Sequence, residues 1–185
     1  MKEKKLEPWK TLAVRKVYTS PWVEVSVLKV RLPDGQIVDD YHQIDLPDFV
    51  VIFAQVPDGQ VILIRQYKQG IHGLSLCLPA GAIEEGEDPL RTAQREFLEE
   101  TGYVSDEWRR LTSLVTNTNY GCGTAHVFIA KDARWYAEPN SGDLEEMQVV
   151  LFPPTRVLEA IRSGEIASLS NAAAVTLALN SITNP

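Results

Sequence analysis

The stretch G-A-I-E-E-G-E-D-P-L-R-T-A-Q-R-E-F-L-E-E-T-G-Y, from Gly81 to Tyr103, contains a loop, a helix and the signal that ends the helix. Asp88 is a good N-cap, Pro89 suits the first helical turn, and Gly102 is where the helix should stop. Between them Leu90, Ala93 and Phe97 recur at i, i+3 and i+7, which makes one apolar stripe. Thr92, Glu96, Glu99 and Glu100 fall largely on another face. Glu96 and Glu100 are four apart, so they project side by side with about 6 Å of axial rise between them.

Like charges at that spacing oppose helix formation by roughly 0.2–0.5 kcal/mol per pair. Three carboxylates gathered near one helix face therefore point to a bound cation, although the same residues alone also suit a solvated acidic face. Oxygen ligands favour Mg²⁺ or Mn²⁺ over zinc, and no Cys/His cluster in the sequence competes. The spacing of Gly81, Glu87, Arg95, Glu96, Glu99, Glu100 and Gly102 resembles the signature of the Nudix hydrolases. Tyr103 stands where that family usually has Ile, Leu or Val, a difference that touches packing.

The chain has 185 residues, 44% of them hydrophobic, which is enough to bury a proper core in one main domain. A net charge of −7 and a pI near 5.0 argue against a nucleic-acid or anionic-membrane partner. A phosphorylated small molecule stays compatible, because a divalent metal supplies positive charge locally. Two cysteines, Cys77 and Cys122, make no disulfide framework and fit a cytoplasmic protein. The N-terminal stretch has no apolar run that reads as a signal peptide or membrane span.

Along the chain, Thr11 to Leu46 reads as strands, with a one-residue slip between Val27 and Leu28 that suits a bulge, and a turn at Pro33-Asp34-Gly35. Pro47-Asp48 marks a boundary: residues 1–47 form a small antiparallel β subdomain and residues 48–185 the main domain. Phe49–Ala54 and Val61–Tyr67 read as dense apolar strands joined as a hairpin by Pro57-Asp58-Gly59. Strands follow at Leu74–Leu78, Leu111–Thr116, His126–Ala130 and Met147–Phe152, and helices at Arg156–Ser163 and Asn171–Asn180. The pattern alone says mixed α/β. The resemblance implies an α/β/α sandwich.

It also implies hydrolysis of a nucleoside diphosphate linked to another group. In that setting Glu96 and Glu100 bind metal, with Glu99 as a further ligand, and the backbone carbonyl of Ala80 completes the shell. Gly81 lets the loop approach metal and phosphate, Arg95 orients the glutamates, and Glu87 pairs with Arg95. The general base falls in Ser141-Gly142-Asp143-Leu144-Glu145-Glu146, with Glu145 or Asp143 in that role and Glu146 close behind.

Leu28–Gly35, Val61–Lys68, Leu78–Gly81 and Ser168–Leu179 further resemble the ADP-ribose pyrophosphatase branch. That likeness implies a homodimer, with Arg65 and Lys68 near the substrate phosphates or the dimer partner, and an aromatic near Trp22 stacked on the base. This chain departs from the branch in one loop. A proline and an acid usual there are replaced by Thr118 and Gly123, which leaves the exact substrate open. Two other readings stand beside this one: a Nudix hydrolase of dinucleotides or damaged nucleoside triphosphates, and a non-catalytic Nudix-fold binding module.

Overall fold

The computed structural model describes residues 6–142, 144 and 146–183. In chain order the elements are β1 (Lys10–Thr19), β2 (Glu24–Arg31), β3 (Ile37–Asp45), β4 (Phe49–Ala54), β5 (Val61–Lys68), a 3-10 turn (Gln69–Ile71), β6 (Gly73–Cys77), β7 (Ala80–Ala82) and α1 (Pro89–Thr101). They continue with β8 (Tyr103–Val104), β9 (Glu107–Asn117), β10 (Gly121–Lys131), β11 (Arg134–Trp135), β12 (Met147–Phe152), α2 (Pro154–Ser163) and α3 (Leu169–Thr183). They divide into two compact units.

The first unit comprises the chain up to Pro47 together with Val115–Thr124. β1, β2 and β3 form an antiparallel meander, and the β2–β3 register shifts between Leu28 and Val30. That shift lies beside the slip in the sequence pattern. The Pro33-Asp34-Gly35 turn closes with Gly35 at φ +91° and Gln36 N–H donating to Asp34 Oδ1. The segment Val115–Thr124 joins this unit through the end of β9 and the start of β10, where Gly121 pairs with Ile44. Local pattern in the sequence carried no sign of that.

The second unit comprises Asp48–Leu114 and Ala125–Pro185. β4 lies between β10, to which it is parallel, and β7, to which it is antiparallel. β5 lies between β12 and β6 in a separate antiparallel sheet. The expected β4–β5 hairpin is therefore not what forms. The turn at Pro57-Asp58-Gly59 closes with one bridge, Gln55 to Val61, and the strands then part into two sheets. Each strand is buried on both faces and already has a ladder partner on each edge, so neither has an edge left for the other.

Alternation along the strands explains their apolar density. Val51 and Phe53 of β4 face one core, shared with Val61 and Leu63 of β5, Val157 and Ala160 of α2, and Val175 of α3. Val50 and Ile52 face a second core, shared with Ile62, Phe128, and Ala93 and Phe97 of α1. Helices thus cover both sides of the strands, an α/β/α sandwich. Truncating a fully buried aromatic such as Phe97 costs about 3–5 kcal/mol in settings of this kind.

The helix that carries the carboxylates begins and ends where its local chemistry dictates. Asp88 has extended backbone and its side chain accepts from the N–H groups of Leu90 and Arg91, with Pro89 at the first position. Gly102 closes the helix at φ +74°, its N–H donating to the Leu98 carbonyl. The Gly102 carbonyl in turn accepts from the N–H groups of Tyr136 and Ala137.

A Cβ placed on Gly102 would lie 2.0 Å from the Ala137 carbonyl oxygen, in a left-handed conformation that side chains resist. Gly102→Ala should destabilise the fold by about 2 kcal/mol or more. For a chain of this size that is a fall in Tm of roughly 4–8 °C. A thermal melt indistinguishable from the parent would refute the packing argument.

Candidate active site

The acidic face of α1 is oriented by its apolar stripe. Ala93 and Phe97 are fully buried, and Phe97 meets Trp108 edge-to-face at 5.7 Å between ring centroids. Thr92 is buried as well, its hydroxyl donating to the Asp88 carbonyl, so it is part of the helix anchor. With the helix fixed this way, Glu96 and Glu100 both arrive at the Ala80-Gly81 backbone of β7.

Glu100 is only 4% exposed, and its Oε2 accepts the Ala80 N–H at 2.8 Å. Glu96 lies so close to Gly81 that a Cβ there would stand 1.9 Å from the glutamate Cδ. Only glycine leaves room for the carboxylate at this point. β7 is in turn fixed by β4, through the pairs Val50 with Gly81 and Val51 with Ala80.

Arg95 organises the remaining charges. Its Nε and one terminal nitrogen donate to the two oxygens of Glu87, at 3.2 and 3.0 Å. The other terminal nitrogen donates to Glu96 Oε1 at 2.7 Å and to Glu99 Oε2 at 3.1 Å. The hydrogen bond from Arg95 is the main reason the Glu87 carboxyl titrates below the ordinary glutamate range. The same pair, joined by Glu96 and Glu99, raises the Arg95 guanidinium above its already high value. One planar cation thus holds three carboxylates in a fixed arrangement.

Among the described residues no three His, Cys, Asp or Glu side chains close into a metal cage. The oxygens that meet at β7 are the carboxylates of Glu96 and Glu100 and the backbone of Ala80 and Gly81, with Glu99 one helical turn beyond Arg95. This is a hard-oxygen set. It fits Mg²⁺ or Mn²⁺, which are held through one or two carboxylates with substrate phosphates filling the shell. It does not suit zinc, which takes nitrogen and sulfur donors in a closed tetrahedron.

The other sequence-derived positions are not all brought together. Lys68 lies on β5 facing the cavity that Ala80 and Glu100 also border. Arg65 is three residues away and so on the opposite face of the strand. Its charge acts on Glu165, whose carboxyl is lowered chiefly by the hydrogen bond from Arg156. Trp22, in the first unit, is 77% exposed. A tight turn presents it, with the Ser20 hydroxyl accepting from the N–H groups of Trp22 and Val23. It is no core residue.

Asp143 and Glu145 lie outside the described residues, and Glu146 is exposed just before β12. Thr118 sits in the β9–β10 turn. Gly123 has φ +73° and a Cβ there would stand 2.6 Å from the Pro47 carbonyl oxygen, so this chain has no room for an acid at that position. His126 is a satisfied structural histidine, its Nδ1 within 3.0 Å of Arg110 and 2.9 Å of the Ser113 hydroxyl.

Two contacts were not anticipated from sequence. Asn171, near the start of α3, accepts the Leu78 N–H at 2.5 Å and so braces the turn into β7. The Asn140 N–H donates to the Glu99 carbonyl at 2.7 Å, tying the loop after β11 to the end of α1. Gln66 also borders the cavity beside Ala80. Its one sequence signal was a polar side chain in the buried phase of β5, two residues after Ile64.

Comparison with known proteins places this geometry. The chain is 28% identical to the ADP-ribose pyrophosphatase of Bacillus subtilis (strain 168) over 167 residues, 90% of each chain. It is 30% identical over 146 residues to the methanol dehydrogenase activator of Bacillus methanolicus, covering 79% of this chain and 77% of that one. A crystal structure of an ADP compounds hydrolase shares the fold with a TM-score of 0.86 at 23% identity, covering 98% of this chain and 97% of that one. Residues 9–44 match the nucleoside diphosphate sugar hydrolase N-terminal domain. Residues 46–170 match the NUDIX domain, and with its glutamates gathered on the Ala80-Gly81 backbone, the chain belongs to the Nudix family.

Proposed function

We propose that this chain is a Mg²⁺-dependent pyrophosphatase that hydrolyses ADP-ribose or a related nucleoside diphosphate sugar to a nucleoside monophosphate and a sugar phosphate. One observation carries the reading. The helix carboxylates are intact: Glu96 occupies the space that a side chain on Gly81 would take, and Glu100 accepts the neighbouring Ala80 N–H. The names of the relatives, ADP-ribose pyrophosphatase among them, support the substrate class.

In the reaction the oxygen of water bonds to one phosphorus and the bridging P–O bond breaks. The bridging oxygen leaves with the other phosphate, and a base takes a proton from the water. Mg²⁺ or Mn²⁺, held by Glu96, Glu100 and the Ala80 carbonyl, with Glu99 as an additional ligand, would neutralise charge on the non-bridging oxygens. Arg95 keeps Glu96 and Glu99 aimed, and Glu87 holds Arg95. Glu100 is fixed by the Ala80 N–H, so the loop that meets the phosphate and the helix that brings the acids move as one piece. Glu145 or Asp143 serves as base. The loop before it is anchored to α1 through Asn140 and Glu99, which supports that assignment. Lys68, facing the cavity beside Glu100, offers a cation to phosphate.

The division of the chain follows the same reading: residues 1–47 serve dimerisation and base binding, and residues 48–185 the chemistry. β1 is exposed along nearly its whole length. Val14, Val17, Tyr18 and Trp22 are exposed apolar side chains of that region. A second copy of the chain covers them in a homodimer, and Trp22 stacks on the nucleotide base. The protein works in the cytoplasm, where Cys77 and Cys122 stay as the free thiols they are here.

A panel of ADP-ribose, other nucleoside diphosphate sugars, dinucleotides and nucleoside triphosphates, with Mg²⁺ and with chelator, tests the assignment. Metal-dependent release of a monophosphate from a diphosphate sugar is expected. Turnover confined to triphosphates or dinucleotides, or none at all, overturns it. Glu96→Gln and Glu100→Gln should each lower kcat by orders of magnitude with little change in Tm. Gly81→Ala should do the same, because the new methyl displaces the flexible end of Glu96 and leaves the backbone in place. Near-normal kcat in any of the three at saturating Mg²⁺ would contradict the metal site.

Trp22→Ala should raise KM about tenfold with kcat almost unchanged, since stacking holds ground state and transition state alike. An unchanged KM removes Trp22 from the base site. Light scattering at micromolar concentration should give the mass of a dimer, and a monomer would refute the assembly.

A further inference from the structure

Between β6 and β7 the chain changes sheets. Cys77 closes the β6 ladder opposite Ile64 of β5, and Ala80 opens the β7 ladder opposite Val51 of β4. Leu78 and Pro79 make the crossing and belong to neither ladder. Pro79 has no N–H to satisfy. Leu78 has one, and with the residue only 1% exposed its partner must come from the protein.

That partner comes from α3. The Leu78 N–H donates to Asn171 Oδ1 at 2.5 Å, and Asn171 is itself buried. Asparagine is a poor choice inside a helix, because its side chain competes with the backbone for hydrogen bonds. Here it stands in the first turn of α3, and its oxygen serves another element. The helix behind it is firmly seated. Ala174, Val175 and Ala178 pack in the core that also holds Val51, Phe53 and Leu78. Asn171 thus carries the position of that core to the crossing.

Two further bonds fix the rest of the crossing. The Ile52 N–H donates to the Pro79 carbonyl at 2.9 Å. Val51 and Ala80 are therefore a non-hydrogen-bonded pair of the ladder, and the N–H and C=O of Ala80 both point away from β4. The N–H meets Glu100 Oε2 at 2.8 Å, and the carbonyl leaves the strand on that same side. Three consecutive residues are thus held by three elements, Leu78 by α3, Pro79 by β4 and Ala80 by α1. The proline between couples them, since its fixed φ leaves the flanking peptide planes little freedom to turn separately.

We propose that Asn171 is a positioning residue of the active site: it anchors Leu78, and through the stiff Leu78-Pro79 step it sets the direction of the Ala80 carbonyl. The inference rests on the metal-dependent reading above, in which that carbonyl completes the oxygen shell of the cation. Groups one step behind a metal ligand change metal affinity or activity by about 10–100-fold when removed. Asn171 does this through the backbone, from a helix on the far side of β4 from α1.

The test compares Asn171→Leu, which removes the acceptor at similar size, with Asn171→Asp, which keeps the oxygen. Amide hydrogen exchange in the metal-free full chain is the first readout. In Asn171→Leu the Leu78 and Ala80 N–H groups should exchange about tenfold faster, and the Phe97 N–H in the middle of α1 at the parent rate. Asn171→Asp should stay close to the parent at all three. Equal acceleration at Phe97 would mean a general loosening and overturns the positioning role, as does unchanged exchange at Ala80. The parent chain needs no variant to bear on this. Leu78 and Ala80 should share one protection factor, and a freely exchanging Leu78 beside a protected Ala80 overturns the anchor. The second readout is Mn²⁺ binding without substrate, followed by the electron paramagnetic resonance of the free ion. Its Kd should rise about tenfold in Asn171→Leu and return near the parent value in Asn171→Asp. A parent-like Kd in Asn171→Leu, or equal weakening in Asn171→Asp, overturns the proposal. Neither readout needs turnover. The anchoring of Ala80 can therefore hold in a chain that hydrolyses no diphosphate sugar, and the two failures are separable.

Discussion

The arrangement depends on the guanidinium of Arg95. Four glutamates, Glu87, Glu96, Glu99 and Glu100, stand on or just before one short helix, and left to themselves they would splay apart and fray it. Arg95 donates to three of them, and the fourth is held by a backbone N–H. Arginine suits this task where lysine would not, because a planar fork can serve two carboxylates on one edge and a third on another. The carboxylates stay in place without closing on one another. That is what a site needs if it is to take up a cation together with its phosphates.

The helix would be useless without a fixed loop opposite it. That loop is fixed because β7 is the edge partner of β4, and β4 is the most thoroughly buried strand of the unit. Alternate residues of β4 pack into two different cores, one under α1 and one under α2 and α3. A shift of β4 by one residue would exchange the two faces and misplace the Ala80-Gly81 backbone against Glu96. The close approach of Gly81 to Glu96 is thus guaranteed by apolar packing on both sides of the sheet, well away from any charge.

How much of this was legible in the sequence depended on the range of the interaction. The limits of α1 were readable because capping is local: Asp88, Pro89 and Gly102 act within a few residues of themselves. The Glu87–Arg95 pair was readable because a loop and the helix it enters are close in the chain. Strand pairing was not. Phe49–Ala54 and Val61–Lys68 are near in sequence and joined by a turn, yet they part because β10, β7, β12 and β6 offer better edges, and those lie up to about a hundred residues away. Arg65 and Lys68 were grouped by the resemblance although their spacing is odd, and strand alternation alone sends them to opposite faces. Trp22 could be core or surface by composition, and only the Ser20 turn decides for the surface.

The loop that follows β11 shows how a site can be assembled from a rigid part and a tethered one. The Tyr136 and Ala137 N–H groups bond to the Gly102 carbonyl, and the Asn140 N–H bonds to that of Glu99. These are carbonyls at the C-terminal end of α1, which no residue of the helix itself can satisfy. The helix end therefore needs the loop as much as the loop needs the helix. The loop at Asn140 therefore takes its position from the same helix that aims the glutamates, although the chain between them runs through four strands. Substituting the loop's acids would then leave its anchor untouched, because the tether is backbone to backbone. That separation lets the loop's side chains vary while the frame beneath them stays constant.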